Sequence, residues 1–223
     1  MHRHTGQPRL EFLSENFKVI ATARDPSSAT ALNELASASH GRVEVFPLDV
    51  TVDRSVDAFV SSVNNKYNQV DFFIYNAGIM GQRSPITAIN KEDLLDTFTT
   101  NAYAPIHLTD KMLPLLKRAK ESRAVYVSTM MSSLATLTES RSPSYRASKS
   151  ALNILVKCLA VEEPGIAFML VHPGWVKTDM GGENAPVLPD DSAAGILATA
   201  AKFCIKEHSA DALYTFEGKT LPW

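Results

Sequence analysis

Short, nearly continuous apolar runs alternate with helix-patterned stretches along this chain, and that alternation restricts it to one fold class. The runs lie at 17–23 (Phe17-Lys18-Val19-Ile20-Ala21-Thr22-Ala23), 43–48, 70–75, 124–128 and 166–171, and they are rich in β-branched and aromatic residues. Near-continuous hydrophobicity, in place of strict alternation, is what parallel strands covered on both faces require. Helical patterns fall at about 27–39, 53–67, 91–119, 145–161 and 190–207. Pro26-Ser27-Ser28 and Pro189-Asp190-Asp191 supply start signals for two of them. Such alternation predicts right-handed βαβ units and an α/β, doubly wound parallel sheet with helices on both faces. With 223 residues, 45% of them hydrophobic and 21% charged, the chain reads as a single globular domain over 1–223.

Composition excludes several function classes. A net charge of −2 offers no surface for nucleic acid or for an anionic membrane. No run approaches the roughly 18 apolar residues of a membrane span, and Met1-His2-Arg3-His4-Thr5 lacks the apolar core of a signal peptide. Cys158 and Cys204 both sit in helical patterns, so neither a disulfide framework nor a metal site is expected. The cytoplasm is the expected location.

Tyr145 and Lys149 bracket the run Tyr145-Arg146-Ala147-Ser148-Lys149. Residues four apart share a helix face, so the spacing puts an ammonium beside a phenol. A nearby cation favours the phenolate and would bring a group that titrates near pH ~10 toward acid–base work at neutral pH. An isolated pair of this kind is usually an exposed helix pair; its company argues otherwise. Asn76-Ala77-Gly78 follows one apolar run, Asn101 lies further on, Ser128 and Thr129 end another run, and Pro173-Gly174-Trp175-Val176-Lys177-Thr178 ends a third. In an open α/β sheet, ligands bind past the carboxyl ends of the strands, where these motifs sit.

This ordered set resembles the short-chain dehydrogenase/reductase family over nearly the whole chain, from about Leu10 to Trp223. The stretches His172–Gly181 and Phe216–Trp223 are similar to its C-factor and sniffer-like carbonyl reductase branch. The resemblance implies a Rossmann-like sheet of order 3-2-1-4-5-6-7 and a nicotinamide cofactor. It implies a small ketone, aldehyde or alcohol as partner, and pairing into a homodimer or homotetramer through the helices at 91–119 and 145–161. Tyr145 would be the proton donor and Lys149 would bind the nicotinamide ribose. Thr129 would hold the substrate carbonyl, with Ser132 as its rival, and Asn101 would kink its helix and hold a proton-relay water. Asn76, Ala77 and Gly78 would face the adenosine ribose. Asp49, followed by Val50, would contact adenine or else be a solvated loop residue. Pro173, Gly174, Val176 and Thr178 would hold the nicotinamide carboxamide. Arg24, where relatives that prefer NAD carry a carboxylate, suits the 2′-phosphate of NADP; Asp25 beside it weakens that reading. His172 is expected to be a packed histidine, not a base, and the cations from Lys111 to Arg123 a solvated face.

One part of the family pattern is absent. No Thr-Gly-x-x-x-Gly-x-Gly turn exists, since the glycine after Gly6 is Gly41. That turn and its helix N-terminus hold the pyrophosphate. The chain is therefore expected to have a short, distorted first strand or a gap there, and weak cofactor binding. The alternative function is a cofactor-poor, non-catalytic binding protein, or a truncated form of an active enzyme.

Overall fold

The computed structural model describes residues 17–202 and 210–223. The expected first strand over Met1–Thr5, the shortened phosphate turn and Cys204 lie outside the described residues. The chain divides into two compact units, one ending at Lys66 and one beginning at Tyr67.

In the first unit, β1 (Val19–Ala23) and β2 (Val43–Pro47) pair in parallel, from Val19 opposite Val43 to Ala23 opposite Pro47. A turn at Pro26–Ser28 leads into α1 (Thr30–Ala38), and α2 (Asp53–Lys66) follows β2. Val56, Phe59, Val60 and Val63 are the buried residues of α2. Their spacing of three and four makes one apolar stripe, and Phe59 meets Phe46 edge-on at 6.1 Å.

The second unit carries a five-stranded sheet in the order β3 (Phe72–Tyr75), β4 (Ser122–Val127), β5 (Ile166–His172), β6 (Leu213–Thr215) and β7 (Thr220–Leu221). Its helices are α3 (Lys91–Phe98), α4 (Ala104–Leu116), α5 (Pro143–Glu162) and α6 (Pro189–Ala201). Strands β4 and β5 are buried on both faces. Tyr126 and Phe168 stack with Tyr75 in one layer, while Val125, Met169 and Val171 pack with Ile196 and Ala200 in another. Tyr126 is wholly buried, and its hydroxyl finds Thr109 Oγ1 at 2.6 Å.

The expected strand ends all hold to within two residues, but the helix expected over 91–119 is interrupted. Residues Thr99–Tyr103 form a π turn, closed by the Ala104 N–H bonding to the Thr99 carbonyl. Pro105 is the reason: it has no N–H to return to the Asn101 carbonyl, so an α-turn cannot close there. The Thr100 carbonyl is left free of its usual partner and accepts the Tyr75 hydroxyl at 3.1 Å. The sheet is also not wholly parallel. Strand β7 runs antiparallel to β6 because the four residues between them suffice only for a hairpin, whereas a parallel return needs a crossover of about a dozen. Among the described residues, no helix is long and apolar enough to cross a membrane, and no cluster of His, Cys, Asp or Glu could hold a metal ion.

Candidate active site

Helix α5 opens with Pro143 at its first position, after Ser142 in a left-handed conformation (φ 57°). Tyr145 therefore falls in the first turn, and Lys149 and Asn153 follow on the same face at intervals of four. All three reach the carboxyl end of β4. The Tyr145 phenol bonds to the Thr129 hydroxyl. Lys149 Nζ donates to the Val127 carbonyl at 2.7 Å. Asn153 Oδ1 accepts the Ser128 hydroxyl at 2.6 Å. Three consecutive residues of the strand end are thus each held by one residue of the helix.

Thr129 is 6% exposed and extended, and its Oγ1 accepts the Met131 N–H at 3.1 Å. A hydroxyl has one proton and two lone pairs, so the Thr129 proton that faces the phenol would turn to a substrate carbonyl oxygen in its place. Ser132, the rival, differs. Its proton goes to the Thr129 carbonyl at 2.6 Å, and its oxygen accepts Asn153 Nδ2 at 2.8 Å. It is Thr129, not Ser132, whose hydroxyl bonds to Tyr145.

Asn101, in the π turn, is fully buried. Its Nδ2 donates to the Ile79 carbonyl at 2.8 Å and to Ser148 Oγ at 3.0 Å, and its Oδ1 accepts the Ile79 N–H at 2.9 Å. The loop after β3 is thereby clamped to α5. Gly78 suits this approach: a Cβ there would stand 3.1 Å from Asn101 Oδ1 and 3.4 Å from Lys149 Nζ, so those side chains would have to give by a few tenths of an ångström. Gly78, Asn101 and Lys149 therefore converge, while Asn76 and Ala77 lie exposed just before them.

After β5, Pro173 is tied to α6 by the Ser192 hydroxyl at 2.6 Å. Gly174 takes φ 85°, which a side chain would strain. Val176 then bridges to Val187, and Thr178 Oγ1 accepts the Gly181 N–H at 3.2 Å. Trp175 is exposed, with its indole N–H on the Gly181 carbonyl at 2.7 Å. His172 is the packed residue expected: burial pushes its pKa down to about 4, and Nδ1 has no partner.

The electrostatics reverse one expectation. Burial raises the Tyr145 pKa; the Thr129 hydrogen bond opposes this and the ammonium one turn away does not offset it. Lys149 is itself brought down to about 8, because burial disfavours its charged form. Shared helix faces predict adjacency, but depth decides the sign.

In the first unit, Arg24 stands exposed at the end of β1. Asp25 Oδ1 is taken by the Ser27 N–H at 2.9 Å and the Ser27 hydroxyl at 2.6 Å, so one of its carboxylate oxygens caps its own turn. Asp49, after β2, accepts the Thr51 N–H at 3.0 Å and the Thr51 hydroxyl at 2.6 Å. These bonds, and more weakly the Arg24 charge, hold its pKa below the usual carboxylate value. Val50 follows, half-buried.

Asn153 and Ser148 were not among the sequence candidates. Asn153 had a signal, since Tyr145, Lys149 and Asn153 continue one four-residue interval. Ser148 had none, because its role depends on where the π turn sets Asn101.

The sequence pattern of the short chain dehydrogenases matches residues 9–187. C-signal of Myxococcus xanthus is 36% identical over 156 residues, covering 69% of this chain and 93% of its own. Among solved structures, carbonyl reductase Sniffer of D. melanogaster superposes with a TM-score of 0.85 at 30% identity, over 92% of this chain and 87% of that one. The NADPH-bound carbonyl reductase from chicken fatty liver gives 0.86 at 34% identity, over the same shares. The chain belongs to the short-chain dehydrogenase/reductase family, in its carbonyl reductase-like branch, and is an oxidoreductase of that kind.

Proposed function

We propose that this protein is an NADP-preferring carbonyl reductase acting on a small ketone or aldehyde. The observation that carries the reading is the convergence of Tyr145, Thr129, Lys149, Asn101 and Gly78. A phenol, the hydroxyl bonded to it, a buried ammonium and a clamped small-residue loop meet at the ends of two neighbouring strands.

The chemistry follows from those groups. A bound nicotinamide supplies hydride to the carbonyl carbon. Thr129 donates a hydrogen bond to the carbonyl oxygen and stabilises the charge that develops there. Tyr145, kept protonated by its raised pKa, passes its proton to that oxygen and completes the alcohol. Lys149, at about 8, is mostly charged at neutral pH and stabilises the phenolate left behind. Asn101 fixes the Ile79 backbone and with it the wall beside Lys149.

The residues present fit such a cofactor, because Gly78 leaves open the space that a Cβ would take from Asn101 and Lys149. Asn76, Ala77, Gly78, Tyr145 and Lys149 would hold its ribose hydroxyls, and Pro173, Gly174, Val176 and Thr178 its carboxamide. Arg24 would meet a 2′-phosphate, and Asp49 and Val50 the adenine. Exposed Leu95, Ile154 and Val161 on α3 and α5 support pairing into a homodimer or homotetramer.

A cofactor-poor binding protein is the second reading, favoured by the missing glycine turn. Titration with NADPH and NADH by fluorescence, followed by turnover of aliphatic and aromatic ketones and aldehydes, separates the two. Tighter NADPH binding together with turnover is expected. Failure to bind either nucleotide would leave the binding-protein reading.

A further inference from the structure

We infer that Asn153 is a positioning residue, which sets the catalytic hydroxyl Thr129 through a directed chain of hydrogen bonds across the buried seam between α5 and the end of β4. This rests on the carbonyl reductase reading above.

The direction of the chain follows from proton counting. Ser132 Oγ has one proton, and its 2.6 Å contact is with the Thr129 carbonyl, which can only accept. Toward Asn153 the Ser132 oxygen must therefore accept, so the amide presents Nδ2–H at 2.8 Å. That leaves Oδ1 facing Ser128, whose hydroxyl donates at 2.6 Å. Donation runs from Ser128 to Asn153, to Ser132, to the Thr129 carbonyl. No other orientation of the amide satisfies all three contacts.

The place matters as much as the polarity. Asn153 is 6% exposed, Ser128 1% and Ser132 5%, so water cannot substitute readily for a lost partner. Between β4 and α5, only the short turn Met130–Ser132 has regular structure, and Leu134 beyond it is 79% exposed. Thr129 is also anchored by the β4 ladder and by Tyr145, and the turn beyond it by the Ser150 hydroxyl on the Ser132 carbonyl at 2.8 Å and Arg146 on the Met131 carbonyl at 3.3 Å. Asn153 adds the bonds that join the two side chains flanking Thr129, Ser128 and Ser132. A leucine at 153 fills similar volume with no hydrogen bonds. An aspartate keeps the acceptor for Ser128 but loses the donor for Ser132 until its carboxyl is protonated.

The test is a double-mutant cycle on the full chain, with NADPH and one aromatic ketone. Asn153→Leu should lower kcat about tenfold to a hundredfold, with KM and the NADPH Kd within about twofold. Thr129→Val should cost about a hundredfold in kcat. The double variant should match Thr129→Val alone, because a misplaced hydroxyl and a missing one are equivalent. Asn153→Asp should start near the leucine variant, and its ratio to wild type should rise as pH falls and the buried carboxyl gains its proton. If the leucine variant does not fold, Ser132→Ala in the Thr129→Val background poses the same question from the loop side. Losses that multiply in the double variant, or NADPH affinity falling together with kcat, would overturn the inference. If wild type reduces no carbonyl, the reductase reading fails by itself. Backbone hydrogen exchange over residues 128–133 then decides the positioning claim: faster exchange in the leucine variant upholds it, unchanged exchange rejects it.

Discussion

The two units hold their strand-end polar residues in opposite ways. In the second unit, Asn101, Thr129, Tyr145 and Lys149 are all buried, and each is bonded to a different stretch of chain. In the first unit, Arg24 and Asp25 are exposed and Asp49 is half-buried; the two carboxylates bond to residues only two positions away. Buried polar groups are costly to leave unpaired, so the second unit's site is held by the fold and tolerates little change. The first unit's residues keep a local turn and leave charge facing water, where substitutions would not disturb packing. One region would carry chemistry, the other selectivity.

The most severe break should come from Tyr145→Phe. The ring still fills its pocket and only the phenol oxygen is lost. General acid catalysis by a positioned side chain contributes about 10²–10⁴-fold, so kcat for ketone reduction should fall by at least a hundredfold, with the thermal midpoint nearly unchanged. Wild-type-like turnover in this variant would end the comparison, because the buried set would then be structural.

Lys149→Met should abolish most activity and change stability in a pH-dependent way. The folded-state pKa of about 8 lies below the ordinary lysine value of 10.5. Between those values the unfolded chain binds more protons than the folded one, so this group makes wild type more stable as pH rises through that window. Below about 8 its full cost applies, roughly 3 kcal/mol by the size of the difference. Methionine carries no such cost but leaves the Val127 carbonyl without its donor, a loss of about 1–3 kcal/mol. The stability of the variant relative to wild type should therefore be greatest at neutral pH and decline toward pH 10.5, as read by urea unfolding. A pH-independent difference would show that Lys149 is not buried as charge. Reduction by wild type should also slow above about pH 8 as the ammonium is lost.

Most of the sheet was legible because β4 and β5 are buried on both faces, and such strands leave unbroken apolar runs. The break at Asn101 did not show in the apolar pattern of 91–119, which runs through it; the family resemblance implied a kink there, and the missing N–H of Pro105, four residues on, marks it. Strands β6 and β7 are three and two residues long, too short for any period to register. In the site, the spacing of Tyr145 and Lys149 was legible but the direction of the Tyr145 shift was not. An interval of four states which face two side chains share, and says nothing about how far that face lies from water. Which of Thr129 and Ser132 bonds to Tyr145 was not legible either, since the bonds that occupy Ser132 come from the Thr129 carbonyl and from Asn153, elsewhere in the chain.

Arg24→Asp sharpens the comparison from the other side. It removes a cation suited to a 2′-phosphate and adds a like charge, in a setting where no packing depends on the side chain. A hydrogen bond to a charged group is worth about 1.5–3 kcal/mol, so the ratio of NADPH to NADH affinity should fall by roughly tenfold or more, with kcat at saturating cofactor almost unchanged. Equal weakening of both nucleotides would make Arg24 a plain surface charge.

The smallest effect is expected from Asp49→Asn. The substitution keeps an oxygen in place for the Thr51 N–H and hydroxyl, so the turn before α2 should survive. Exposed or half-exposed changes that preserve such contacts usually stay within about 0.5 kcal/mol. The pH dependence carries the information. In the folded chain the Asp49 pKa lies below 3.8, first through its bonds from Thr51 and then through the Arg24 charge. A carboxylate depressed in the folded state contributes stability that is complete above the unfolded value and is lost as pH falls through the folded one. Wild type and variant should therefore be nearly equal at pH 7 in urea unfolding. Below about pH 4, wild type should lose an increment that the variant, having no charge there, never had. A large loss at pH 7 would mean that Asp49 is held by more than its own turn, and the contrast between the two units would not stand.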